Sequence, residues 1–509
     1  METNRISNIK FIVIFTTVIY FINNIIIYDK FEHWFVTKGV LDTTGFIAYI
    51  ILGLSLSIAL ITILSHKYTT KAFAIFVIIS SMASTYVIDK YNVAIDRSMI
   101  ANVIQTNTSE SLTLASWSML PYFIFLVLIP IIIVLKTEIV YDKIIKHTFK
   151  SILLFIVTIG LGLGFAYLKF DSLHLAGNNS KKYIAYQLVP VNFIIALGST
   201  AKHYIQDNYV SPPAPIDIKA ELLKKDDLVV VLAIGEASRQ LNYNLYGYKG
   251  NKTNPLLSKE KNLTMLNGIA KYGSTIWALP QILSRDDVKL PSITDKVGIP
   301  TSCFVNYRVY GNCGTVPEVS PKNCGHGGKC YDEDVIPLLK DDLATYKSGQ
   351  KLVVLHIGAG SHGPLYATRY PEEFQLFNPQ CTSADVLNDC TKDELFNSYD
   401  NTIVYTDYVV SHLIKTLKDA KVPYIFIYLS DHGESLMENG RVFHGMPPGI
   451  DLPYEQAHIP LLVKSSMPIE IIKKDEYKQP YIYDTILDLF NIKIDLLNKE
   501  NVFIKQNDK

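Results

Sequence analysis

Five apolar runs occupy the first third of the chain: about Ile9 to Tyr28, Phe46 to Leu64, Ala72 to Ile88, Leu120 to Leu135 and Ile152 to Phe170. A helix crosses the hydrocarbon core of a bilayer with about 20 apolar residues, and lipid leaves no other open-ended structure whose backbone is satisfied. Five spanning helices are therefore the predicted framework. The third run is the most dilute, because Ser80, Ser81, Ser84 and Thr85 interrupt it. A cleaved signal peptide does not account for the first run, since no small-residue cleavage site follows it and four more runs do. Hydrophobic residues make up 49% of the 509-residue chain, and the excess is concentrated here.

Loop charge sets the orientation. Arg5, Lys10, Lys67, Lys71, Lys136, Lys143, Lys146 and Lys150 fall on one side of the predicted spans, against Lys30, Lys38, Lys90 and Arg97 on the other. The positive-inside rule then places the N-terminus in the cytoplasm, and an odd number of spans puts everything after Phe170 outside it. The cysteines agree: Cys303, Cys313, Cys324, Cys330, Cys381 and Cys390 all lie in the second half, in three successive close pairs that read as three local disulfides in an oxidising compartment. Lys plus Arg balances Asp plus Glu at 48 each, so no basic field points to nucleic acid.

The expected domains are a membrane domain over 1–170, a connection over 171–226 and an outer domain over 227–509. The connection holds an apolar stretch too short to span, predicted to lie at the interface with Phe193, Ile194 and Ile195 dipped into the leaflet, followed by a Pro-rich spacer. In the membrane domain, the outer loop around Asn102, Thr106 and Glu110 carries groups that can bind a lipid head group; the same composition suits a solvated loop.

In the outer domain, strands alternate with helical segments, which predicts a largely parallel sheet covered on both faces. Three buried-strand runs end on side chains suited to metal or phosphate chemistry. Leu228 to Ile234 leads to Glu236, Leu352 to Ile357 leads to His362, and Tyr424 to Leu429 leads to Asp431 and His432. Ligands in open α/β sheets bind at such carboxyl ends. Glu236, Asp431 and His432 form an oxygen and nitrogen set that zinc accepts, with a fourth position left for a reacting oxygen. Ser274 and Thr275 precede a helix-like run, where a hydroxyl would sit in the field of unpaired N–H groups; an ordinary N-cap explains the same residues. His444, His326 and Lys329 are further candidates in Gly-rich loops, each also consistent with a solvated side chain. No Gly-rich nucleotide loop follows a strand, so no nucleotide cofactor is expected.

The chain resembles the membrane-anchored phosphoethanolamine transferases of Gram-negative bacteria, which include the mobile colistin-resistance enzymes and whose catalytic domain belongs to the alkaline phosphatase and sulfatase superfamily. The blocks that carry the resemblance are MIANVIQTNTSES, PVNFI, IGEASRQLNYNLYGY, GSTIWALP, SHGPLYATRYP, CTSADVLNDCTKDELFNSYDNTIVYTDYVV and LSDHGESLMENGRVFHGMP, in the family's order. The resemblance implies that Glu236, Asp431 and His432 hold zinc, that Thr275 is both nucleophile and fourth ligand, and that His362 and His444 line the site and in some members hold a second zinc. It also implies a ping-pong transfer. Phosphoethanolamine would pass from phosphatidylethanolamine to Thr275 and then to lipid A or a core sugar at the inner membrane, which would raise polymyxin resistance. A phosphoglycerol transferase, a sulfatase-like hydrolase and a non-catalytic zinc-binding scaffold are the alternatives. In the lipid A-modifying members a disulfide flanks the threonine segment; here the flanks are Tyr272 and Gln281. The pair Cys303 and Cys313 is a different staple, whereas Cys324 with Cys330 and Cys381 with Cys390 fit the family's pattern.

Overall fold

The computed structural model describes residues 5–28, 42–91, 93–97, 99–100, 117–171, 173–174, 186–205, 219–306, 311–324, 330–358, 360–446 and 450–506. Asn102, Thr106, Glu110, His326 and Lys329 lie outside these residues. Two compact units divide at residue 212, within the connection expected over 171–226.

The first unit contains five helices long and apolar enough to cross a membrane: α1 (Asn8–Ile26), α2 (Thr43–Leu64), α3 (Thr70–Tyr91), α4 (Met119–Lys136) and α5 (Ile144–Leu168). Ser7 caps α1 by accepting from Lys10 N, and Asp42 caps α2 by accepting from Gly45 N. The serines that dilute the third run do not break it, because Ser81, Ser84 and Thr85 face inward and Thr85 donates to Asn23 of α1 at 2.7 Å. That interhelical hydrogen bond joins α3 to α1. Helix α4 carries a π turn over Phe123–Leu128, just ahead of Pro130, whose missing N–H disturbs the regular ladder. The apolar side chains of α5, among them Ile156, Leu161 and Leu163, face outward, as lipid requires.

Helix α6 (Val191–Ile205) occupies the stretch expected at the interface. Only part of the expected face is open. Ile195 is 46% exposed, but the Phe193 ring packs 5.8 Å from the Phe76 ring of α3. A bulky ring next to an apolar helix gains more from burial against it than a short-range sequence pattern can register.

The second unit is a three-layer α/β/α domain. Its eight-stranded sheet consists of β1 (Leu228–Gly235), β2 (Thr264–Ile269), β3 (Thr301–Val305), β4 (Glu318–Val319), β5 (Gln350–Ile357), β6 (Tyr424–Ser430), β7 (His458–Ser465) and β8 (Tyr477–Lys478), in the order β8-β2-β7-β6-β1-β5-β3-β4. All neighbours run parallel except the two pairings made by β7, with β6 and β2. Alternate residues of β1 serve opposite faces. Leu228, Val230, Leu232 and Ile234 pack with Leu279 and Ile282 of α7 (Thr275–Leu283) and with Ile486 and Leu487 of the helix over Pro480–Leu489. Val229, Val231 and Ala233 pack with Leu339 of α8 (Val335–Ala344) and with Val409, Leu413 and Leu417 of α9 (Lys392–Ala420). Helix α10 spans Pro480–Leu489. Burial on both faces explains why these strands read as unbroken apolar runs. Disulfides join Cys303 to Cys313, Cys324 to Cys330 and Cys381 to Cys390, the three pairs expected from spacing.

Candidate active site

Strands β5, β1 and β6 are neighbours in parallel register, with Gly235 level with Ile357 on one side and Ser430 on the other. The residues that follow them therefore leave the sheet at one edge. Glu236 follows β1, Asp431 and His432 follow β6, and the Gly358–His362 segment follows β5. Gly360 has φ 35°, and a Cβ there would lie 2.5 Å from the Glu236 carbonyl oxygen, so only glycine lets this segment close over the end of β1. Ala237 also adopts a left-handed conformation, φ 54°. Its N–H donates to Asp431 Oδ1 at 3.0 Å and its carbonyl accepts from Tyr399 at 2.8 Å, which holds the strained turn in place.

Thr275 arrives from the other layer. Strand β2 leads through Ala270–Ser274 into α7, with Ser274 extended at the N-cap and Thr275 the first helical residue. Thr275 Oγ1 lies 2.9 and 3.0 Å from the two carboxylate oxygens of Glu236. The His432 Nδ1 is 3.1 Å from the Gly433 carbonyl, so Nδ1 carries a proton, and Nε2 is the nitrogen whose lone pair a cation would take once its own proton is displaced. That Nε2 is 3.4 Å from Glu236 Oε1 and 3.3 Å from Asp431 Oδ2. Glu236, Asp431 and His432 are all buried.

These residues fit a divalent cation. Asp431 Oδ2 and His432 Nε2 are buried with no hydrogen-bond partner, an arrangement that is costly unless something positive is bound. Ligand atoms about 2.0–2.1 Å from a tetrahedral zinc stand roughly 3.3–3.4 Å from one another, which is the spacing found around His432 Nε2. The protonation equilibria point the same way. Burial, reinforced by the neighbouring Asp431, pushes the Glu236 carboxyl up to about 7. Burial alone would lower His432, but the Asp431 and Glu236 carboxylates outweigh it and raise the imidazole to about 9. Without a cation the cluster retains protons, and a cation would take their place.

His444 and His362 complete one wall. The His444 ring centroid is 4.3 Å from that of His432 and 4.7 Å from that of His362. Donor atoms of Glu236, His432 and His444 lie within 4.8 Å of one another. Four of the sequence candidates, Glu236, Thr275, Asp431 and His432, thus meet at one point, with His362 and His444 beside them.

Glu434 received no role from the sequence, although it ends the same DHGE run. It is buried, accepts from Tyr366 at 2.9 Å and pairs with His444 Nδ1 at 2.8 Å, while burial pushes its carboxyl up to about 7. His356 was also missed. It lies inside β5 with Nε2 3.9 Å from Glu236 Oε2, and burial lowers its pKa, so it stays neutral. Strand position would have to be combined with register to find it. Arg239 is buried beneath the loop, donating to the Glu434 carbonyl at 3.2 Å and to Glu438 at 2.7 Å.

Residues 54–205 match the family model for phosphoethanolamine transferase EptA/EptB, and residues 299–492 match the sulfatase model. The phosphoethanolamine transferase EptA of Helicobacter pylori is 32% identical over 453 residues, covering 82% of this chain and 81% of that protein. The chain belongs to the EptA family of phosphoethanolamine transferases. Phosphatidylethanolamine transferase Mcr-1 from Escherichia coli is 26% identical to this transferase over 529 residues, covering 95% and 94% of the two chains. The integral membrane protein lipooligosaccharide phosphoethanolamine transferase A (EptA) from Neisseria meningitidis has the same fold throughout, with a TM-score of 0.83, 25% identity and 98% of each chain covered. The transferase is therefore a multi-pass inner-membrane enzyme with a sulfatase-like catalytic domain in the periplasm.

Proposed function

We propose that this transferase moves phosphoethanolamine from phosphatidylethanolamine to lipid A through a covalent intermediate on Thr275. The observation that carries this reading is the Thr275 hydroxyl on the Glu236 carboxylate, beside the two unpartnered buried donor atoms of Asp431 and His432. Glu236, Asp431 and His432 would hold one zinc ion, which would supply positive charge to lower the hydroxyl's pKa and to stabilise the transferring phosphoryl group. The donor class is that of the phosphatidylethanolamine transferase Mcr-1 and the acceptor class that of the meningococcal lipooligosaccharide phosphoethanolamine transferase, and a core-sugar acceptor is the nearest variant.

In the first half-reaction the Thr275 hydroxyl gives its proton to the Glu236 carboxylate on which it is hydrogen-bonded and its oxygen bonds to phosphorus, while the bond from phosphorus to the diacylglycerol oxygen breaks. His444 or His362 protonates that oxygen, so diacylglycerol leaves neutral. In the second, an acceptor oxygen attacks the same phosphorus and gives its proton to the histidine, the bond from phosphorus to the Thr275 oxygen breaks, and that oxygen takes its proton back from Glu236. The burial of Thr275, which is 8% exposed, limits competing attack by water. Lys329, Asn102, Thr106 and Glu110 are proposed to contact the phosphate or the lipid head group. Five spans with a periplasmic catalytic domain put the N-terminus in the cytoplasm.

Adding phosphoethanolamine places an ammonium on an anionic lipid, which weakens binding of cationic peptides such as polymyxin. The test is mass spectrometry of lipid A from a susceptible host expressing either the wild-type chain or Thr275→Ala. The wild-type host should gain the phosphoethanolamine adduct and polymyxin resistance, and the variant host neither. An adduct made equally well by Thr275→Ala would overturn the reading.

A further inference from the structure

The loop that presents Thr275 carries no covalent restraint of its own. The three disulfides lie at 303–313, 324–330 and 381–390 and account for every cysteine in the chain. The loop also comes from β2, which is not a neighbour of the ligand-bearing β6, because β7 lies between them. Sheet hydrogen bonds therefore do not tie the nucleophile loop directly to the Asp431–His432 loop. A buried side chain does.

Gln479 stands between β8 and α10 and is only 1% exposed. Its Oε1 accepts from Lys271 N at 3.3 Å, four residues before Thr275. Its Nε2 donates to the Asp431 carbonyl at 2.5 Å and lies 3.5 Å from the Ser430 carbonyl. Its own N–H donates to the Ile269 carbonyl at the end of β2. Both halves of the amide are thus engaged, one on each loop. On the opposite side the nucleophile loop rests against a second buried glutamine: a Cβ on Gly273 would lie 3.0 Å from Gln456 Oε1. Gln456 Nε2 in turn donates to Ser435 Oγ and to the Phe443 carbonyl, next to His444.

We propose that Gln479 is a positioning residue for the transfer reaction, its side-chain amide setting the distance between Thr275 and the Asp431–His432 pair. Gln479 touches no reacting atom. It acts through the backbones of Lys271 and Asp431, so its loss changes the approach of the Thr275 oxygen to phosphorus rather than the chemistry available there. Misplacement of a reacting atom by about 1 Å costs on the order of a hundredfold in rate.

This inference rests on the reading of Thr275 as nucleophile. The experiment uses the full chain in detergent micelles containing phosphatidylethanolamine, with rapid-quench measurement of Thr275 loading by intact mass, zinc per chain, and thermal melting. Gln479→Met keeps the volume and removes both hydrogen bonds; Gln479→Glu keeps the acceptor for Lys271 N and loses the donor to the Asp431 carbonyl. Both variants should load about tenfold or more slowly at saturating donor, with the donor KM within about twofold of wild type and with full zinc stoichiometry. A merely structural role would lower melting temperature and yield and leave kcat per folded chain unchanged, and that result overturns the proposal. If Gln479→Met does not fold, loading by Gln479→Glu at the wild-type rate overturns it equally. Failure of the wild-type chain itself to load Thr275 overturns the nucleophile assignment and this inference together, whereas normal loading by both wild type and variants overturns this inference alone.

Discussion

Glu434 shows how one buried carboxylate can govern a histidine that reaches the site. Its bond to His444 Nδ1 fixes the tautomer and ring plane, and Tyr366 holds the carboxylate from the other side. Removing it leaves the imidazole free to rotate and takes away the charge that would stabilise a His444 imidazolium in the proposed transfer. Glu434→Ala should lower kcat by about a hundredfold, and Glu434→Gln, which keeps an acceptor for Nδ1 but not the charge, by about tenfold. Steady-state transfer measured at saturating donor checks both; equal activity of the two variants and wild type would remove Glu434 from the reaction. The ligand candidates were legible in the sequence because each sits one or two residues past a strand or at the first residue of a helix, positions that local pattern can locate. Glu434, His356 and Gln479 were not, because what they touch is brought to them by elements far away in the chain.

At the scale of elements, α9 carries a pH dependence of stability. It begins with a capping box in which Thr391 and Glu394 satisfy each other's backbone N–H groups, and it then buries Asp400 and Asp407 against the segment over 242–257. Burial pushes both carboxyls up to about 6, partly offset by donors: Asn242, Tyr248 and Asn251 for Asp400, and Leu256 and Leu257 N–H for Asp407. A folded pKa above the ordinary value of about 4 means that the folded state binds more protons than the unfolded one between these values. The contribution is therefore greatest below about pH 4 and is lost as pH rises through about 6. Amide exchange at Leu256 and Leu257, corrected for the intrinsic rate, should show protection falling from about pH 4 to about pH 7. Asp407→Asn should flatten that slope, and an unchanged slope would contradict the burial argument. The core strands of this domain were readable as continuous apolar runs, since both faces are covered. The contact of Phe193 with α3 was not, because period and composition say which residues are apolar but not which neighbour covers them.

For the whole molecule, five membrane helices and an α/β domain divide the work: one unit belongs in the lipid that holds the donor, and the other carries a cluster of carboxylate, imidazole and hydroxyl groups at the edge of three parallel strands. This division was visible in the sequence from run length, loop charge and cysteine distribution. Thr275 is proposed to carry the transferred group, and the Glu236, Asp431 and His432 cluster to require a divalent cation to make it do so. The most direct measurement is intact mass and peptide mapping of the purified full chain after incubation with phosphatidylethanolamine, before chelation, after chelation, and after zinc is restored. One phosphoethanolamine adduct is expected on Thr275, lost in the chelated sample and recovered with zinc. An adduct on another residue, or loading of Thr275 that is indifferent to chelation, would contradict it.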